Sequence, residues 1–276
     1  MRKLLVIAFF LICPVISAQN LGYSWLSDYD SLNSVSQIIT PPPGFHRIDF
    51  AIGSFAEWLR GLPLRTAQDT VYLYNGVPKA NQTAHHTIID IDAGTTDLQQ
   101  CADAVIRMRA EYLYSISAFQ KIHFNFTNGD TCRWTDWLNG IRPGIKDNTV
   151  SWERTAGIDS SYANFRKYLD TVFMYAGTYS LKKELRPVEG INSIRAGDVF
   201  IQGGFPGHAV FVVDIAVNDN GDKLFLLVQG FTPAQDIHIL KNLHETHLSP
   251  WYSTEFDNRL DTPEWIFYKS DLLRFE

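Results

Sequence analysis

The chain changes its hydrophobic period at Gly197, and that change constrains the fold more than any other feature of its 276 residues. Upstream, Leu98, Cys101, Ala102, Val105, Met108 and Tyr112 recur at helical spacing, with Thr96 as the predicted cap and Gln99 three residues on. A second helix is predicted over Ser161 to Tyr175, its apolar face formed by Tyr162, Phe165, Tyr168, Leu169, Val172 and Phe173. Downstream, short apolar runs bounded by turn residues predict strands: Gly197 to Ile201, His208 to Asp214, Lys223 to Gln229 and Asp236 to Leu240. Helices first and a small antiparallel sheet afterwards is the order of an α+β fold.

Smaller elements complete the reading. Pro41-Pro42-Pro43-Gly44 predicts a stiff extended entry segment, and Ser54 to Arg60 a short helix capped by Ser54 with Glu57 completing a capping box. Strands are predicted over Thr70 to Tyr74, His86 to Ile91 and Lys121 to Phe126, followed by a loop rich in tryptophan (Trp134, Trp137, Trp152). Leu181 to Leu185 adds a helical turn or two.

Met1-Arg2-Lys3, the short apolar run Leu4 to Ile12 and the small residues before Gln19 predict a secretory signal peptide over residues 1–18, leaving one domain with an N-terminal extension over 19–276. Cys13 lies inside the leader behind the bulky Ile12, which argues against a lipid anchor, so export to the periplasm or the extracellular space is expected. No other apolar run is long enough to span a bilayer. The formal charge of −6 becomes more negative once Arg2 and Lys3 are removed, and no basic run offers a footprint for nucleic acid. The mature chain keeps Cys101 and Cys132, which an oxidising compartment would join as a disulfide unless Cys101 is a functional thiol.

The segment Gly197-Asp198-Val199-Phe200-Ile201, Gln202 to Gly207, then His208 to Asp214 reads as strand, glycine-rich turn and strand, with one histidine delivered into an otherwise apolar run. It resembles the base-bearing half of papain-like cell-wall hydrolases of the NlpC and CHAP type. That resemblance implies a papain-like fold with an inserted helical and loop region, His208 as general base, and an upstream nucleophile, for which Cys101 fits. Helix N-termini and a nearby imidazolium both favour a thiolate. Cys101 lies five residues after the expected cap, so the imidazolium would carry most of that effect. The competing reading makes Cys101 a small buried hydrophobe and His208 an ordinary satisfied histidine.

A base needs an orienting partner. Asn220-Gly221 signals a two-residue hairpin turn, which sets residue 219 opposite 222 and His208 opposite Pro233, so Gln229 and Gln235 share the face of His208 and Asp236 does not. A three-residue turn would reverse this. Gln229 is the preferred third residue, with Gln235 and Asp236 as alternatives, although it sits four residues from the position opposite His208, roughly 13 Å along a flat strand. His85 and His86 point to opposite faces of a strand, His244 and His247 lie in a polar loop, and no spacing predicts a metal site or another cofactor.

The chain also resembles a family of secreted bacterial proteins known only as a domain of unknown function. The residues that carry this likeness are Asp97 to Ala104, Arg109 to Tyr114, Phe126 to Gly129, Val172 to Thr178, Gly197 to Asp214, Pro233 to His238 and Ser249 to Tyr252. Two functional expectations follow from the whole reading. One is an exported cysteine hydrolase acting on an amide bond, in cell-wall peptides for instance, with Cys101, His208 and Gln229 as its catalytic residues and Gln100 or the Cys101 backbone N–H at the oxyanion. The other is a non-catalytic secreted protein that binds glycans or peptides through an aromatic-rich surface, carried by Trp134, Trp137 and Trp152 unless these only pack a core.

Overall fold

The computed structural model describes residues 22–276, so the leader expected over 1–18, with Cys13, lies outside the described residues. Among the described residues nine strands pair antiparallel in one sheet. Its main order is His85–Ile88, His238–Leu240, Lys223–Gln229, His208–Val217, Val199–Gln202, Leu272–Arg274 and Arg186–Pro187. His46–Arg47 extends the pairing of the His208–Val217 strand, and Trp251–Ser253 that of Lys223–Gln229. The molecule is therefore mixed helix and antiparallel sheet, with a larger sheet than expected, because segments from both ends of the chain join it.

The central strands are continuous apolar runs because both of their faces are covered. Ala209, Phe211 and Val213 join Leu224, Leu226 and Val228 in a core shared with the helices. Val210, Val212, Phe225 and Leu227 face the other way, onto Phe200, Leu260, Phe267 and Leu272. Burying such a side chain stabilises the fold by about 1.5–3 kcal/mol, so this double-sided strand pair fixes the frame in which the site is held.

The helix Tyr162–Tyr175 forms where its period predicts, with Ser161 Oγ accepting from the Asn164 N–H at 3.3 Å. So does Phe55–Arg60, capped by Ser54 Oγ on the Glu57 N–H at 3.2 Å. The cysteine helix differs. It spans Cys101–Ser115, not Thr96 onward, because residues 96–100 are held in tight turns by tertiary contacts. Asp97 Oδ1 accepts from the Ala234 N–H at 2.7 Å, and the buried Gln99 side chain is drawn to Arg107 at 2.6 Å.

Thr70 to Tyr74 is not a strand. Its N–H groups find side chains instead, Val71 on Gln82 at 3.0 Å and Tyr72 on Asp236 at 2.9 Å, leaving isolated bridges at Tyr72 and Leu73. The tryptophan-rich segment is ordered structure, not loop: a helix Trp134–Leu138, then a hairpin of Ile141–Lys146 with Thr149–Arg154. Trp134 and Trp137 are buried in the main core and Trp152 stacks on Phe126, so this trio does not form an aromatic surface.

Candidate active site

Cys101 is the first residue of its helix, with Gln100 as the cap. The expected five-residue offset is thus replaced by the position where unpaired N–H groups and the helix dipole act most strongly on an anion. The helix end is fixed by Asp103, whose Oδ2 accepts from the Gln100 N–H at 3.0 Å. The chain leaving the Lys223–Gln229 strand passes close beneath it: a Cβ on Gly230 would stand 2.9 Å from the Gln100 carbonyl oxygen.

His208 enters its strand from the glycine-rich loop, which is locked against the Thr178–Glu184 helix: a Cβ on Gly207 would lie 2.3 Å from Thr178 Oγ1. By strand alternation His208 shares the face of Val210 and Val212, and its ring packs on Phe231, Trp265 and Phe267 at centroid distances of 4.9, 5.3 and 5.9 Å. The cysteine helix covers the opposite face. Both residues nevertheless line one cavity of about 620 Å³ together with Phe173, Gly177, Phe205, Phe231 and Trp265, with no hydrogen bond between the thiol and the His208 ring. The nearby backbone N–H groups of Ala209, Ala102 and Cys101 favour the Cys101 thiolate.

The register that brings Gln229 to His208 arises from two offsets. Asn218 Oδ1 accepts from the N–H groups of Asn220 and Asp222 at 3.0 and 2.9 Å, closing a three-residue turn in place of the expected two, so Val217 pairs with Lys223. That shift alone would carry Gln229 to the wrong face. A bulge then adds one residue on the histidine strand, since Leu226 pairs with Asp214 but Leu227 with Val212. The second shift restores the face and moves Gln229 two residues nearer. Val228 pairs with Phe211, so Gln229 follows opposite Val210, diagonal to His208, and its Oε1 lies 3.0 Å from His208 Nε2.

Hydrogen-bond roles along this network are forced. His238 Nδ1 lies 2.9 Å from the Asp236 carbonyl, which only accepts, so Nδ1 carries the proton and Nε2 the lone pair. Gln229 Nε2 donates to that lone pair at 3.2 Å and to Glu264 Oε2 at 2.6 Å. Its Oε1 is left to accept from His208 Nε2–H, and the basic nitrogen of His208 is therefore Nδ1.

Burial pushes the Cys101 thiol up to about 11, with the nearby Asp103 carboxylate adding to the rise and the three backbone N–H groups opposing it. Burial likewise lowers His208 to about 4, against the pull of Gln229 and Glu264. The surroundings of each group thus favour its neutral form, against the thiolate and imidazolium expected from the sequence. Asp103 is itself held well above the usual carboxylate range by desolvation, and its Oδ1 has no hydrogen-bond partner.

Of the other candidates, Asp236 serves Arg65 at 2.7 Å, and Gln235 is buried away from His208's contacts with its Nε2 unpartnered. Gln100 lines the cavity, its amide shared between Asp97 and Thr232, each at 3.1 Å. Cys101 and Cys132 are free thiols. Asp198 of the Gly-Asp pair binds Arg274 at 2.6 Å, a structural tie. Among the described residues no three His, Cys, Asp or Glu side chains are grouped to hold a metal ion, and no helix is long and apolar enough to cross a membrane. Sequence reasoning missed Lys79, Phe231, His238, Glu264 and Trp265. Only His238 had a readable signal, a histidine inside a buried strand.

No curated protein and no solved structure matches the chain. A family model does, from residue 35 to residue 274, which takes in the cysteine helix, the histidine strand and the Gln229 network. The chain belongs to the family described as Domain of unknown function (4846).

Proposed function

We propose that the protein is a cysteine hydrolase of amide bonds on a papain-like variant of the α+β plan, working in an exported compartment on peptides such as those of the cell wall. The observation that carries this reading is one cavity holding a cysteine at a helix N-terminus and a histidine whose tautomer leaves Nδ1 basic. Because both groups rest neutral, proton transfer accompanies attack. Cys101 Sγ bonds to the carbonyl carbon as its proton passes to His208 Nδ1, and the oxyanion takes up the backbone N–H of Cys101. The imidazolium then gives that proton to the leaving amine as the C–N bond breaks. Water, deprotonated by the same imidazole, hydrolyses the thioester and frees the thiol.

The test is a mass-spectrometric search for adducts with electrophilic peptides and with peptidoglycan stem peptides. Stoichiometric labelling of Cys101, lost in His208→Ala, is expected, together with amide cleavage that Cys101→Ala abolishes. Cleavage that survives Cys101→Ala overturns the proposal. A second reading, binding of a peptide or glycan without turnover, draws on Phe173, Phe205, Phe231 and Trp265 around the cavity. It is favoured by saturable binding with no labelling and no cleavage.

A further inference from the structure

Glu264 lies in the turn between the short strands Arg259–Asp261 and Ile266–Tyr268, far in sequence from every residue it serves. The turn is closed by the Thr262 N–H on the Trp265 carbonyl at 2.9 Å, and Trp265 Nε1 donates to Gln202 Oε1 at 2.9 Å, which docks the hairpin on the strand beside His208. Both carboxylate oxygens are engaged: Oε2 by Gln229 Nε2 at 2.6 Å and Lys79 Nζ at 2.5 Å, and Oε1 by Asn81 Nδ2 at 3.2 Å. Lys79 is itself buried and lies over the Phe231 ring, which packs on His208.

We infer that Glu264 is a positioning residue that fixes the tautomer of His208 by holding the Gln229 side-chain amide in one orientation. An amide can turn over and exchange its donor and acceptor ends, and His238, its Nδ1–H tied to the Asp236 carbonyl, opposes that exchange only through the longer contact to Gln229 Nε2 at 3.2 Å, against 2.6 Å for Glu264. A carboxylate has no donor to exchange. With Glu264 ionised against Lys79, only the NH₂ end of Gln229 can face it, so Oε1 faces His208 and the Nε2–H form is selected. Were the amide reversed, its NH₂ would meet His208 Nε2, the proton would move to Nδ1, and the imidazole could no longer accept the thiol proton at that atom. The buried ion pair thus acts through a neutral amide, which orients the base without placing a charge against it. This role rests on the proposed hydrolase chemistry, but the tautomer it controls is measurable without any substrate.

Long-range proton–nitrogen correlation NMR on the full chain, with His208 assigned by His208→Gln, reads the tautomer directly. The wild-type protein is expected to show protonated Nε2 and unprotonated Nδ1. Lys79→Met/Glu264→Leu removes the ion pair as a unit and is expected to raise the proportion of the Nδ1–H form by about tenfold or more, since a charge-assisted hydrogen bond is lost. In an amide-cleavage assay the same variant should lose kcat with KM little changed, and Glu264→Asp should recover part of both signals. A wild-type His208 protonated on Nδ1, or a tautomer ratio unmoved in the folded double variant, overturns the inference. A tautomer that responds as expected in a protein that cleaves no amide upholds the positioning role and removes the hydrolase reading instead.

Discussion

Cys101 and Cys132 are both buried, both free, and both pushed up by desolvation, to about 11 and about 12. Their surroundings have little else in common. Cys132 lies in a two-stranded ribbon with the buried Tyr168 hydroxyl donating to its carbonyl at 3.0 Å, inside the packed aromatic core of Trp134 and Phe165. Cys101 starts a fifteen-residue helix, lines a cavity, and has three nearby backbone N–H groups that favour its thiolate. A perturbed thiol is therefore no sign of function by itself. What separates the two is access, and donors already arranged for negative charge.

The largest expected effect breaks or upholds this contrast outright. Cys101→Ala should lower amide cleavage by about 10⁴-fold or more, as loss of a nucleophile does. Cys132→Ala should leave the rate within about twofold and cost about 1–2 kcal/mol of stability in a denaturant titration, since it removes a small buried group. Equal losses of activity from both would place Cys101 with the structural cysteines.

Alkylation kinetics sharpen the same comparison. With the Cys101 thiol at about 11, its rate with iodoacetamide should climb about tenfold per pH unit from pH 7 to 9, in step with the thiolate fraction. Cys132 should stay unlabelled in the native protein. A rate already on a plateau at pH 6 would mean that a thiolate–imidazolium pair forms after all.

Acid stability probes the residues behind the cavity. His208 and His238 have folded values near 4 and 3, below the ordinary 6.5. The unfolded chain therefore binds more protons between these values, so their stabilising contribution is complete above about pH 6.5 and falls as pH drops toward 4. For His208 the loss is on the order of 3 kcal/mol. Denaturant titrations of His208→Gln should accordingly show a flatter pH dependence in that window than wild type, and an unchanged slope would show that burial does not hold the ring neutral. The smallest effect belongs to Phe205, which is 84% exposed at the cavity mouth. Phe205→Ala should change stability by less than about 0.5 kcal/mol, and any functional change should appear in KM.

Local patterns were legible where local forces decide. The Ser161 to Tyr175 periodicity and the Ser54 cap gave their helices because burial of one stripe and one cap bond suffice. The start of the cysteine helix was misread because Asp97 binds Ala234, a contact across 137 residues that no local pattern encodes. Thr70 to Tyr74 failed for a similar reason, its N–H groups being taken by Gln82 and Asp236. At the site, His208 stood out as a polar residue in an apolar run, Cys101 followed from the papain-like resemblance, and Gln229 followed from a hairpin register that the longer turn and the bulge together preserve in face. Lys79 and Glu264 did not, because a buried ion pair looks in sequence like any two surface charges.

The bulge in the histidine strand makes the hairpin behave as a gear with two teeth out of step. The turn is one residue longer than the sequence signal, the strand one residue longer than its partner, and the errors cancel only where Gln229 meets His208. Residues at the far end of the hairpin, exposed and remote from the cavity, thereby set whether the imidazole has its partner. Lengthening or shortening that turn by one residue, a change most surface loops absorb, would swing the amide to the other side of the sheet unless the bulge were lost or doubled with it.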